Sequence, residues 1–274
     1  MIRFTKAHAC GNDFLIVTEE AAQGRDKAQL TRHLCARNTG IGADGVELFA
    51  WTGLRSGRIC LHNADGSIAE ISGNGTRCVA AWMALERGFV PGDNLEITTD
   101  AGVRVCHVNA LKTEGEFTVQ VTAGMGIPTF EKHSVKLANE MWVAGVTVST
   151  GNPHFVILVD NAEFKVGRKT WREIGAEIGV HSEFPHQTNV EFFRIVSPTE
   201  IEIRIFERGV GPTQSSGTGS SACATAAIGV YGCTSPLKVV APGGAQTIEW
   251  DGQGTELRLT GPASLIARGE AWPA

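Results

Sequence analysis

The chain has 274 residues, 42% of them hydrophobic, with 24 basic and 29 acidic side chains and a net charge of −5. That is enough apolar material for one large core or two ordinary ones. The mild acidity leaves no electrostatic footprint for nucleic acid or an anionic membrane, and no apolar run reaches the roughly 18 residues needed to cross a bilayer. The N-terminal MIRFTKAHACGNDF has no apolar segment of signal-peptide length. Seven cysteines are scattered and never spaced C-x-x-C, against a disulfide framework or a zinc site. A reducing, cytoplasmic setting is the expectation.

In chain order, KAQLTRHLCAR (27–37) reads as an amphipathic surface helix, followed by strands over 45–51 and 57–63. Residues 74–87 then read as a helix poor in charge and rich in small residues, the kind a core encloses. Strands follow over 95–99, 103–108 and 117–122, and breakers cluster over 115–128 in KTEGE and TAGMGIP. Beyond them come a strand at 154–160, a helix at 171–178 and strands at 189–196 and 201–206. A second small-residue helix covers 218–231, and strands at 237–241, 246–250 and 256–260 close the chain. Clean alternation in segments such as IEIRIF fits antiparallel strands with one wet face. The pattern predicts an α/β (α+β) fold of two similar halves, each a mostly antiparallel sheet around one buried helix. The expected division is 1–117, with about 262–274 returning to it, and 118–261.

Each buried helix is preceded by Ser-Gly-x-Gly, at Ser72–Gly75 and Ser216–Gly219, 144 positions apart. First-turn N–H groups lack internal partners and the helix dipole favours an anion there, while glycine lets a ligand approach. Two such starts predict a carboxylate trap with a serine beside the bound acid. Taken alone, each is equally an N-capping serine followed by a glycine turn. A dinucleotide site fails its context tests: Gly40, Gly42 and Gly45 follow a helix rather than a strand, and no acidic residue closes the strand after Gly217-Thr-Gly219.

Eight ordered blocks, CGNDF, GIGADG, NADGS, SGNGTRC, GNPHFV, TNVEF, ERGVG and SGTGS, carry a resemblance to the diaminopimelate epimerase family along nearly the whole chain. The resemblance implies two pseudo-symmetric domains with the active site in the cleft between them. It implies inversion of an amino-acid α-carbon, LL- to meso-diaminopimelate, with no cofactor and no metal, by two groups on opposite faces of that carbon. By motif, Asn12, Asn63, Asn152, Asn189, Glu207 and Arg208 should hold the distal amino and carboxylate groups. Gly73, Asn74, Gly217 and Thr218 should present donors to the carboxylate at the reacting end, and His154 and Glu207 should assist proton transfer. A small amino-acid substrate and a cytoplasmic homodimer, with neither nucleic acid nor membrane as partner, complete the expectation. Asn63 and Asp65 in NADG equally suit an ordinary turn.

The departures fall on the chemistry. Where the family has its two catalytic cysteines, this chain has Ser72 and Ser216. A hydroxyl is a far weaker acid than a thiol, so a general base is needed to activate it. Cys78 and Cys223 lie further along the helices and are expected to pack internally. Pro212 stands where an acidic residue is expected, and Gly45 where some members carry a side-chain ligand. Three readings follow: an epimerase slowed or silenced by serine; a related isomerase, racemase or dehydratase using Ser72 and Ser216 on another amino or hydroxy acid; or a non-catalytic amino-acid binder.

Overall fold

The fold is described from a computed structural model over residues 1–272. The chain divides into two units, residues 1–124 with the segment from Thr260 onward, and residues 125–259.

Unit 1 runs β1 (Ile2–Ala9), β2 (Asn12–Thr18), α1 (Lys27–Cys35), β3 (Gly45–Trp51), β4 (Ser56–Asn63), β5 (Ile68–Ala69), α2 (Gly73–Arg87), β6 (Asn94–Thr99), β7 (Gly102–Lys112) and β8 (Phe117–Gly124). Unit 2 runs β9 (Thr129–Lys136), β10 (Trp142–Ser149), β11 (Pro153–Leu158), α3 (Trp171–Gly179), β12 (Asn189–Ser197), β13 (Glu200–Glu207), β14 (Gly211–Thr213), α4 (Gly217–Gly229), β15 (Leu237–Ala241) and β16 (Gly244–Glu249). The last strand, β17 (Arg258–Ala271), begins in unit 2 and lies mostly in unit 1.

In unit 1, β1 pairs antiparallel with β2 and with β17, β2 parallel with β3, and β3 antiparallel with β4. Strand β4 then pairs parallel with β6, followed by antiparallel β6–β7 and β7–β8. Strand β8 returns to β17, where Thr118 and Thr122 bond Ser264 and Thr260, so the sheet closes into a barrel without free edges. Helix α2 fills it. Ser72 caps the start, Gly88 in the left-handed conformation ends it, and every residue from Gly73 to Ala84 is buried. Small side chains such as Ala80, Ala81 and Ala84 let the strands approach this enclosed helix, while Arg77, Trp82 and Met83 are buried along it as well.

Unit 2 repeats the order: β10 and β11 antiparallel, β11 and β12 parallel, β12 and β13 antiparallel, β13 and β15 parallel, β15 and β16 antiparallel. Helix α4 carries no charged residue and is buried from Gly217 to Ala227. The registers correspond. Phe14 lies opposite Gly45 and Ile16 opposite Glu47 in unit 1, as His154 lies opposite Asn189 and Val156 opposite Glu191 in unit 2.

Several boundaries differ from the sequence expectation. The first unit extends to Gly124 rather than 117, because β8 is hydrogen-bonded to β7 and β17. The expected strand at 256–260 starts at Arg258 and continues to Ala271, held by its pairing with β1. Strands β1, β2, β9 and β10 had no sequence counterpart. Strand β9, TFEKHSVK, exposes most of its side chains and so lacks an apolar period.

Candidate active site

The start of α4 is built from the chemistry of one strand face. Side chains alternate across a strand, so His154 on β11 and Asn189 and Glu191 on β12 share a face. That face meets α4. A Cβ on Gly219 would stand 2.8 Å from Glu191 Oε1 and 3.2 Å from Ser216 Cβ. Glu191 Oε1 lies 2.8 Å from His154 Nδ1, and both side chains are fully buried. His154 Nε2 donates to Asn152 Oδ1 at 2.9 Å, an oxygen that also accepts from Thr150 Oγ1. Asn152 Nδ2 donates to Thr218 Oγ1 at 3.4 Å, and the Thr218 hydroxyl is 3.3 Å from Ser216 Oγ. Ser216 Oγ accepts from the Gly219 N–H at 3.2 Å. One hydrogen-bonded chain therefore runs from Glu191 through His154, Asn152 and Thr218 to Ser216.

With Nε2 donating to Asn152, Nδ1 faces the Glu191 carboxyl. Both imidazole nitrogens are engaged, so His154 sets the geometry around Ser216 through Asn152 and Thr218 instead of touching it.

The start of α2 has the same serine geometry and different supports. Ser72 Oγ accepts from the Gly75 N–H at 3.0 Å, and the Thr76 N–H and hydroxyl both donate to Ser72 O at 2.8 Å. Arg77, fully buried, donates to Gly73 O at 3.2 Å and to Asn74 Oδ1 at 2.7 Å. With its oxygen so engaged, the Asn74 amide donates to Asn12 Oδ1 at 3.1 Å, and Asn12 donates onward to Asp44 Oδ2 at 2.7 Å. Arg37 closes this network onto Asp44 and Asp13. Burial pushes the Asp13 carboxyl up, but the hydrogen bonds and charges of Lys6 and Arg37 outweigh it and hold the group below its ordinary range.

Behind Gly75 lies Glu47 of β3, fully buried, with neither carboxyl oxygen hydrogen-bonded among the described residues. A Cβ on Gly75 would stand 1.9 Å from Glu47 Oε1. Burial alone pushes this carboxyl from the ordinary 4.5 up to about 8. The second glycine of each turn, Gly75 and Gly219, has a role of its own: its missing side chain makes room for a buried carboxyl.

The remaining expected residues fall as follows. Asn189 donates to Pro153 O at 2.8 Å and accepts the Arg208 N–H at 2.9 Å, tying β12 to the end of β13, where Glu207 and Arg208 are half-buried. The Arg208 guanidinium donates to His186 O at 3.3 Å. Asn63 donates to Ser67 Oγ at 3.1 Å inside the NADGS turn, where Asp65 accepts from Ser67, so its amide is engaged in the local turn. Cys78 and Cys223 are sealed in the cores, and burial pushes both thiols well up. Glu47 and Glu191 escaped the sequence reading, yet each is an acid inside an apolar strand, GVELFAW and NVEFFRIV, and each precedes its serine by 25 positions. That spacing was the available signal.

A family model described as diaminopimelate epimerase matches residues 4–130 and 146–266. A diaminopimelate epimerase of Parabacteroides distasonis is 36% identical over 272 residues, spanning 98% of this chain and 97% of its own length. Among solved structures, a predicted epimerase from Pseudomonas aeruginosa matches with a TM-score of 0.73 at 12% identity, over 100% of both chains. A hydroxyproline epimerase from Agrobacterium vitis, solved with trans-4-hydroxy-L-proline bound, matches with a TM-score of 0.70 at 16% identity over 98% of this chain and 90% of that one. At these identities the two structures speak to the fold.

Proposed function

The chain belongs to the diaminopimelate epimerase family, and from that premise we propose that it binds diaminopimelate and exchanges the proton on one α-carbon through Ser72 and Ser216. The observation that carries the reading is the doubled device. Each serine caps a buried small-residue helix, at 3.0 Å to Gly75 N and 3.2 Å to Gly219 N, and each has a buried glutamate behind the capped glycine. Helix starts of this kind suit a carboxylate, and donors aimed at it stabilise the negative charge that grows as the α-proton leaves. Ser72 handles the proton of one antipode and Ser216 that of the other. Asn12, Asn63, Gly73, Asn74, Asn152, Asn189, Glu207, Arg208, Gly217 and Thr218 hold the substrate, and His154 and Glu207 assist.

Serine makes this a slow enzyme. Each tenfold loss of active base adds about 1.4 kcal/mol to the barrier. The reaction needs no metal or cofactor on this reading, and the protein works as a cytoplasmic homodimer, which sedimentation and fractionation test. Among the described residues, no helix is long and apolar enough to cross a membrane.

The test is incubation with LL-diaminopimelate in heavy water, following deuterium at the α-carbon. Slow exchange by the native chain, rising by about 100-fold or more in the Ser72→Cys/Ser216→Cys protein, supports the reading (~2.7 kcal/mol of barrier). Tight binding without exchange in either protein makes the chain a binder, and no binding moves the substrate to another amino or hydroxy acid.

A further inference from the structure

In GVELFAW one acid interrupts an apolar strand, and Glu47 has no exposed atom to justify it. It sits between Ile16 of β2 and Leu61 of β4, its oxygens unpartnered among the described residues. Such burial opposes folding, so stability does not explain the residue. Its position does. The carboxyl and Ser72 flank the point where a Gly75 Cβ would be, at 1.9 Å from Oε1 and 3.2 Å from Ser72 Cβ. Glu191 stands in the same relation to Gly219 and Ser216.

The two halves differ in one partner. Opposite Asn189 on the neighbouring parallel strand is His154, which is hydrogen-bonded to Glu191; opposite Gly45, the corresponding place, is Phe14. Unit 2 therefore gives its buried glutamate an imidazole partner. Unit 1 has no side chain there that could serve as one.

We propose that Glu47 carries a proton of its own that keeps the start of α2 free of negative charge, so that this helix start accepts the substrate carboxylate. Glu47 is a positioning residue, acting through Ser72 and the α2 amides, and the proposal rests on the functional reading above. Burial raises its carboxyl to about 8, so the neutral form prevails at neutral pH. The titratable groups around it do not substitute for that proton. Cys78 of α2 and Cys60 of β4 are thiols that burial pushes up, and an ionised Glu47 would push both further in the same direction. Arg77 of α2 is bonded to Gly73 O and Asn74, and Asp13 of β2 to Lys6 and Arg37. If Glu47 ionised, two anions would meet at one helix start in a medium that screens them poorly.

The experiment is calorimetric titration of the full chain with LL-diaminopimelate from about pH 6 to about pH 10, for the native protein and Glu47→Gln. Native affinity is expected to fall up to about tenfold per pH unit above about pH 8, and Glu47→Gln to lack that limb. The ratio between the two proteins removes the titration of the ligand's own amines. Should Glu47→Gln fail to fold, the infrared band of a buried protonated carboxyl in the native protein gives the same answer: it should vanish as pH passes about 8. Binding with identical pH profiles in the two proteins, or a carboxyl already ionised at about pH 6, overturns the proposal alone. Absence of binding at every pH in both overturns the functional reading and the proposal with it.

Discussion

Glu191 Oε1 lies 2.8 Å from His154 Nδ1, with neither side chain reaching solvent. Removing one member of such a pair leaves the other buried and uncompensated, which costs about 3–5 kcal/mol. Glu191→Ala is therefore expected to lower the urea midpoint sharply. An unchanged midpoint would show that His154 finds its proton partner elsewhere.

Gly75→Ala and Gly219→Ala offer a sign test. Alanine inside a helix ordinarily stabilises by up to about 1 kcal/mol over glycine. Here the new methyl would stand 1.9 Å from Glu47 Oε1 at residue 75 and 2.8 Å from Glu191 Oε1 at residue 219. Both substitutions are expected to destabilise, Gly75→Ala by about 2 kcal/mol or more. Combining Gly75→Ala with Glu47→Ala should recover part of that loss in a double-mutant cycle, because the methyl then occupies the vacated space.

Glu47 also writes itself into the pH dependence of folding. A carboxyl raised from 4.5 to about 8 favours the proton-bound folded state. Its contribution is fully present below about pH 4.5 and is lost as pH rises to about 8, by about 1.4 kcal/mol per pH unit at most. Subtracting the profile of Glu47→Gln from that of the native protein should isolate this decline. A flat difference from about pH 5 to about pH 8 would mean the carboxyl is solvated or paired in solution.

The sequence exposed the fold's two centres better than its rims. Both buried helices are legible because Ser-Gly-x-Gly marks their starts and Ala, Gly, Ser and Cys are frequent along them, and in the structure Ser72 and Ser216 are the caps. Strand β9 was not, since its side chains are mostly exposed and its order comes from pairing with β10. The reach of β17 to Ala271 depends on β1, more than 250 positions away in the chain. At the candidate site, motif matching singles out Asn152 and His154, but nothing local announces that His154 faces Glu191. Only the parallel pairing of β11 with β12 brings them together.

Arg77 orients the unit 1 amides, since its bond to Asn74 Oδ1 leaves Asn74 Nδ2 to hold Asn12. Arg77→Met keeps much of the volume and removes that orientation. Its expected effect is a loss of diaminopimelate affinity by about tenfold or more, ~1.4 kcal/mol, read by calorimetry. The fold should tolerate it better than the ligand does, because burial already pulls the guanidinium below its ordinary pKa range and a buried charge stabilises little. Unchanged affinity would separate Asn74 from substrate binding.

The most direct test of two serines serving two antipodes is deuterium wash-in by single variants in heavy water. Ser72→Ala and Ser216→Ala should each abolish epimerisation, and each should lose exchange from one stereoisomer, LL or meso, while keeping it from the other. Exchange that survives from both isomers in both variants, or disappears from both in only one of them, would contradict the account.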